Sequence, residues 1–422
     1  MYNHPSVTNR TVAPALNRGY LPLILVFMME APGVWGADFG DYFTFSGKVV
    51  LHDAPVKFAF LQVADVGPSG RINGVYAPFT KDSPRDYADL RVYSPDGSRQ
   101  MHLSTKDIRK RVEPWSERRL VTLFDVAEGQ RGELVATSAR HLVMFDSSGV
   151  VRKALDLGNL GNLLKGEIKN PQDLGKIQEK AHTEGRWVNI HRLDFGPKGE
   201  IVGVGEGYPK RFFLHIFDPH GRSVRDFLLL DSSYKGSFES VDVDSLGDIW
   251  CTFRLFHKVF HYGMDGAPKG DIIGKSSVFK QPRDLKVPTS HKKWLHWLKT
   301  WTPVVDCGVT QSGYVILVML AGEDGRPYMR NYDPEGDMYE GGFFIDIYDR
   351  EGNMIAGGLH TPHRFLCVDP KDNIWFDLRP DTPENPGPPL SKGRSKPEKE
   401  PPAVLGKFKL NLPLAASKNV GR

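Results

Sequence analysis

The chain has 422 residues, with 55 Lys and Arg against 51 Asp and Glu, a formal net charge of +4. So small an excess over so long a chain leaves no electrostatic footprint for nucleic acid. Three cysteines, Cys251, Cys307 and Cys367, fall in separate apolar runs with no CxxC pair, a pattern that reads as buried thiols rather than a disulfide framework or a cysteine zinc site.

In chain order, Arg10 and Arg18 come first, followed by an apolar run from Leu21 to Met29 and then small residues up to Gly36 and Ala37. A basic start, an apolar core and a small-residue exit form the layout of a secretory signal peptide. Residues 1–36 are therefore expected to be a leader and the protein to be secreted or periplasmic. Pro22 and Glu30 depart from that layout; the alternative is a disordered leader, or a strand outside the main fold. The run falls short of the ~20 apolar residues of a spanning helix, and no other stretch approaches that length, so no transmembrane span is expected.

From Asp41 to Leu51 the sequence (DYFTFSGKVVL) is β-prone. After it a unit recurs: a short alternating run, a Gly/Pro/Asp turn, a second apolar run, and a third closed by Asp-x-x-Gly. Period-2 runs broken by such residues read as antiparallel strands joined by tight turns. The clearest copy spans Leu193 to Gly221. Others start at Ala64, Phe124, Val241, Val305 and Phe365. The apolar residue after the first turn marks the copies at 72, 134, 201, 249, 315 and 374. Their mean spacing is about 60 residues, longer than the roughly 40–50 of a minimal four-stranded blade, so the excess must sit in insertions. One such sheet cannot cover its own faces, so the copies must stack. The expected fold is all-β, a six-bladed β-propeller with short helical insertions, over residues 38–414. Asp41–Leu51 is the candidate strand that closes the ring, because closure removes free sheet edges.

The insertions fall at about 104–120, 157–184, 285–302 and 378–402, with a frayed tail at 415–422. The first is basic, the second has helical spacing in Leu174, Ile177 and Ala181, and the last is Pro-rich and charged, as an exposed loop would be. In the third, Trp294, Trp297, Leu298 and Trp301 fall on one helical stripe. That stripe packs inward on the protein or forms a partner surface of Trp294, Trp297 and Trp301.

The units resemble the repeats of NHL-type and related six-bladed β-propellers. The resemblance rests on the apolar-x-apolar strand, the turn ending in Gly-x-Ile and the later aromatic-Asp-x-x-Gly, seen best in Pro362–Trp375, and it covers about residues 60–376. It implies the fold and leaves function open, because this architecture hosts binding scaffolds, lactonases and lyases alike.

Five units carry an aspartate in the first strand: Asp65, Asp125, Asp194, Asp242 and Asp306. Asp65, Asp194 and Asp242 stand seven residues before the marker. Asp125 joins them if its turn holds two extra residues, Asp306 stands two residues earlier, and the sixth unit has Cys367 instead. Alternation sends these side chains toward the central channel. There they accept backbone N–H bonds in a hydrated channel, or hold a cation. His191 and Arg192, Glu239, and His363 and Arg364 precede the inner strands of three units and are expected at the channel mouth. The reading is an exported binding or scaffold propeller, expected as a monomer, taking a protein, peptide or saccharide at that mouth. The alternative is a metal-assisted hydrolase or lyase of the lactonase or amidating-lyase kind, using His191 and His363 with the channel acids around Ca²⁺ or Zn²⁺. The three-His zinc set and the Glu-Asn-Asp calcium set that the resemblance would supply do not map residue by residue, and the residues specify no cofactor. No nucleophile elbow, His-Glu-x-x-His or phosphate loop occurs.

Overall fold

A computed structural model of the protein describes residues 38–55, 59–78, 89–113, 123–138, 141–157, 188–207, 211–230, 238–281, 301–320, 342–378, 383–384 and 402–412. The leader, the tail, the 157–184 insertion beyond Leu157, Trp294 and Trp297, and most of the Pro-rich segment lie outside them. Among the described residues no helix is long and apolar enough to cross a membrane.

The strands form six four-stranded antiparallel sheets. Blade 1 holds β2 (Ala59–Val66), β3 (Ile72–Pro78), β4 (Asp89–Tyr93) and β5 (Arg99–Leu103). Blade 2 follows with β6 (Leu123–Glu128), β7 (Leu134–Ser138), β8 (His141–Phe145) and β9 (Val151–Asp156). β10 (Val188–Phe195), β11 (Ile201–Gly207), β12 (Arg211–Phe217) and β13 (Ser223–Leu230) make blade 3. Blade 4 is β14 (Phe238–Val243), β15 (Asp248–Phe253), β16 (Lys258–Gly263) and β17 (Ile272–Ile273). Blade 5 is β18 (Val304–Val309), β19 (Val315–Leu320), β20 (Phe343–Tyr348) and β21 (Met354–Thr361). In blade 6, β22 (Arg364–Val368), β23 (Asn373–Asp377) and β24 (Pro402–Leu410) are joined by β1 (Phe43–Pro55), which pairs antiparallel with β24. The architecture is the six-bladed propeller that the repeats predict.

Second strands lose the alternation of a one-faced sheet because a neighbouring blade covers each face. Every residue of β7, β15 and β23 is buried. The apolar clusters sit between blades. One joins blades 1 and 2 through Val75, Leu90, Val126 and Phe145, another joins blades 5 and 6 through Ile345, Ile374 and Phe376, and a third joins blades 6 and 1 through Leu51, Tyr93 and Trp375. The 104–120 insertion supplies a helix, Thr105–Val112, started by Ser104, whose Oγ accepts the Asp107 N–H at 3.2 Å. Its Ile108 and Val112 enter the cluster between blades 1 and 2 while Lys106, Arg109 and Lys110 occupy other sides. Trp301 is buried with Phe238, Phe253 and Leu255 between blades 3 and 4. This corrects its assignment to a partner surface: the residue follows the inward alternative.

One turn type sets the opposite face. Residues 67–71, 129–133, 196–200, 244–248, 310–314 and 369–373 link first to second strands, and 94–98, 146–150, 218–222, 263–267 and 349–353 link third to fourth. In each, the N–H of the first residue donates to the carbonyl of the fifth, and the N–H of the fourth to the carbonyl of the first. The fourth residue has φ near +80°, and Asp372 stands there in the last blade with φ 58°. Where Asp opens the turn it also caps it. Oδ1 of Asp244 accepts from the N–H groups of Leu246 and Asp248, and Oδ2 takes the Trp250 indole N–H at 3.0 Å; Asp369 and Trp375 repeat the arrangement in blade 6. The twelfth position, between β24 and β1, holds the closure instead, where the Asn411 N–H donates to the Tyr42 carbonyl at 2.7 Å. All other connections leave from the face where the inner strands begin.

Candidate functional site: the central channel

The first strands surround a cavity of about 490 Å³. Each exposes one edge to it, with N–H groups that no neighbouring strand can satisfy. The aspartates fill that role in a relay from blade to blade. Asp65 Oδ2 accepts from the Glu128 N–H at 3.0 Å, Asp194 Oδ2 from Val243 at 2.6 Å, and Asp242 Oδ2 from Val309 at 2.7 Å. In blade 6 Cys367 takes the equivalent position, paired with Trp375 of β23. The relay is the structural use of the repeated aspartate that the sequence suggests.

Asp125 and Asp306 stand one pleat nearer the mouth. The turn after Asp125 has the same length as the turn after Asp65, so it lacks the two extra residues that would align Asp125 with Asp65. Ala127 and Gly308 occupy the positions equivalent to Asp65, and Asp125 and Asp306 pair with Thr137 and Val318 three residues past the marker. Asp125 Oδ2 accepts the Leu193 N–H at 2.9 Å, and Ser240 Oγ, on the same level in blade 4, accepts the Cys307 N–H at 2.9 Å. On this level blades 3 and 6 present Arg192 and Arg364, opposite Val204 and Asp377 in their second strands.

Burial governs the charge of these groups. It pushes the Asp65 carboxyl up to about 8, against the Glu128 N–H, which lowers it. It holds Asp194 well above the ordinary range, helped by the neighbouring Asp242 and Asp65 charges. Asp242 rises to about 6, relieved by the Val309 N–H and a hydrogen bond with Asp194. Asp125 also reaches about 6, with Arg192 opposing burial, and Asp306 stays well up despite both Arg192 and Arg364. Much of the acidic lining therefore carries protons near neutrality.

Arg192 and Glu239 meet at the mouth: Arg192 Nε donates to the Glu239 carbonyl at 2.7 Å, and Nη1 to the His191 carbonyl at 3.0 Å. The Glu239 carboxylate takes Arg254 Nη2 at 2.8 Å. Arg254, one residue past β15 and outside the repeat, is the lining residue that the sequence pattern misses. Its only cue is a basic residue just past a fully buried strand.

The channel thus gathers Asp65, Asp125, Asp194, Asp242, Asp306, Arg192, Glu239 and Arg364 on one wall system. His191 and His363 are not among its lining residues. The His191 ring lies against Phe124, with centroids 5.4 Å apart. His363 is buried near the Phe408 ring and pairs Nε2 with Glu384 Oε2 at 3.3 Å. The expected mouth cluster of two histidines with channel acids is therefore not assembled, and among the described residues no three His, Cys, Asp or Glu side chains converge as a metal would require.

The chain matches no protein-family model, and no curated protein is similar to it in sequence. Solved structures share its fold. A member of the DUF4221 family from Bacteroides vulgatus superposes with a TM-score of 0.52 at 11% identity, covering 88% of this chain and 99% of that one. Weaker likenesses include a regucalcin from Agrobacterium tumefaciens, described as calcium-binding, with a TM-score of 0.42 at 13% identity over 86% of this chain and 95% of that one. A gluconolactonase from Xanthomonas campestris gives 0.43 at 9% identity over 86% and 89%. At such identities the likeness concerns the propeller fold alone.

Proposed function

We propose that the chain is an exported binding propeller that takes a peptide or saccharide ligand into the mouth of its central channel. The supporting observation is the division of labour between its faces. One face is closed largely by short turns of a single type, whereas the connections between blades leave from the other, which opens on a cavity of about 490 Å³ lined by charged and apolar side chains. Recognition on loops held by a rigid scaffold is the usual economy of such folds. The N-terminal basic, apolar and small-residue segments support export. A screen of soluble oligosaccharides and short peptides by ligand-observed NMR tests the reading, repeated with Arg192→Trp to fill the mouth after its melting curve shows a folded protein. Ligands lost with the filled mouth support it; ligands that bind equally to both proteins place recognition elsewhere and sink it.

A further inference from the structure

We propose that the mouth half of the channel is an anion subsite, in which a carboxylate or phosphate of a small ligand is held by Arg192, Arg254 and Arg364. This rests on the binding reading above and names the chemistry of the ligand.

Three guanidinium groups line one end of one cavity. Arg192 spends two donors on main-chain carbonyls, and among the described residues no carboxylate lies within ion-pairing distance of it. Its charge is therefore fixed in place without being neutralised by contact. Arg254 ion-pairs with Glu239 through Nη2, yet its Nε is buried with no partner among the described residues. A buried guanidinium donor left unmade is costly unless something else completes it. Glu239 ties two of the arginines together, since Arg192 holds its carbonyl and Arg254 its carboxylate. Arg364 lies on the same level of the channel as Arg192, and both act on Asp306.

The carboxylates that face these arginines are Glu239, Asp125, Asp306 and, across the β22–β23 pair from Arg364, Asp377. Glu239 is matched by Arg254. Asp125 is engaged by the Leu193 and Val126 N–H groups at 2.9 Å each. Burial holds Asp306 toward its neutral form. Arg192 then keeps its charge without a carboxylate contact among the described residues, in a site where partial desolvation strengthens each contact and planar guanidinium groups match oxyanion geometry. Deeper in the channel Asp65, Asp194 and Asp242 reverse the chemistry: protonated or shared carboxyls there can hydrogen-bond hydroxyl or amide groups. The wall thus suits a ligand with an anionic end at the mouth and polar, uncharged groups inside.

Calorimetry and thermal melts of the full chain with citrate, inorganic phosphate and sorbitol test this. Citrate or phosphate should bind with salt-sensitive affinity and raise the melting temperature, while sorbitol does neither; the stronger of the two anions identifies the source chemistry. Arg192→Gln should weaken that binding about tenfold or more, the scale of one charge-assisted contact. The double variant Arg254→Gln with Glu239→Gln removes the second arginine without leaving a buried charge, and should weaken it similarly. Folded variants that bind the anions as well as the parent overturn the proposal, as does an unmodified chain that ignores both anions. If neutral saccharides or peptides still bind and a filled mouth abolishes them, only the anion assignment falls; if neither class binds, the channel reading falls with it.

Discussion

His215 and Asp65 show how burial sets the chemistry of single residues in this ring. His215 lies in β12 beside Phe213 and Phe217, fully buried, with its Nε2 unpartnered among the described residues. Burial pushes its pKa down from 6.5 to about 4. As pH falls, the unfolded chain takes up the proton first, so the contribution of the neutral ring is complete above about 6.5 and is lost on the way down to 4. Asp65 acts in the opposite sense: raised from 3.8 to about 8, it contributes fully below 3.8 and its contribution disappears as pH rises through 8. Urea unfolding at pH 4.5 and 6.5 should find that His215→Phe loses less stability on acidification than the parent, by on the order of 2 kcal/mol. Between pH 5 and 8, Asp65→Asn, which keeps an acceptor for the Glu128 N–H, should gain on the parent by a similar order. Parallel curves for variant and parent would show that neither group titrates as its burial demands.

At the scale of the element, the closing strand and the turn beneath it form one joint. Gly97 is the fourth residue of the 94–98 turn of blade 1, with φ +88°, and a Cβ there would stand 2.1 Å from the Val50 carbonyl oxygen of β1. Main chain cannot yield as a side chain can, so Gly97→Ala adds displacement of the closing strand to the left-handed strain itself. Gly270, with φ +107° and open space around its would-be Cβ, isolates the strain alone. Denaturant midpoints should place Gly97→Ala below Gly270→Ala by about 1–3 kcal/mol, the range of overpacking at a rigid contact; equal values would mean that β1 is not clamped at Val50. The strand itself is legible from sequence, because β propensity and the need to remove an edge both mark Asp41–Leu51. So are the aspartates, since alternation turns them to the channel once the turns are placed. What escapes is set by local irregularity. Alternation from Asp194 puts Arg192 on the channel and turns His191 away from it. In β22 the register shift between Phe365 and Cys367 puts Arg364 in the wall and leaves His363 off it, and no residue type announces that bulge. Arg254 lies past the end of a strand, where the repeat has no voice.

Across the whole molecule, the channel has a period of three blades rather than one. Asp65, Asp125 and Arg192 in blades 1 to 3 have counterparts in Asp242, Asp306 and Arg364 in blades 4 to 6, while Cys367 breaks the match with Asp194 and Ser240 the match with Val63. The ring still closes at only one joint, where Asn411 meets Tyr42 in the place of the missing turn. Joining those residues through an Asp-Pro-Lys-Gly turn would make the twelfth connection like the other eleven, so the chain could be opened elsewhere. Two openings separate the sources of closure. Cutting at 231–237, between β13 and β14, leaves blades 3 and 4 held by the Asp194–Val243 hydrogen bond and the cluster around Phe238 and Phe253. Cutting at 321–341, between β19 and β20, splits blade 5, so the two chain ends pair strand to strand as β1 and β24 do now. Shared strands add backbone hydrogen bonds along a whole ladder to the apolar contact between blades. The permutant opened inside blade 5 should therefore unfold cooperatively at a higher temperature than the one opened between blades 3 and 4. The reverse order would mean that side-chain staples and apolar faces close this ring, and that its exchanged strand serves another end.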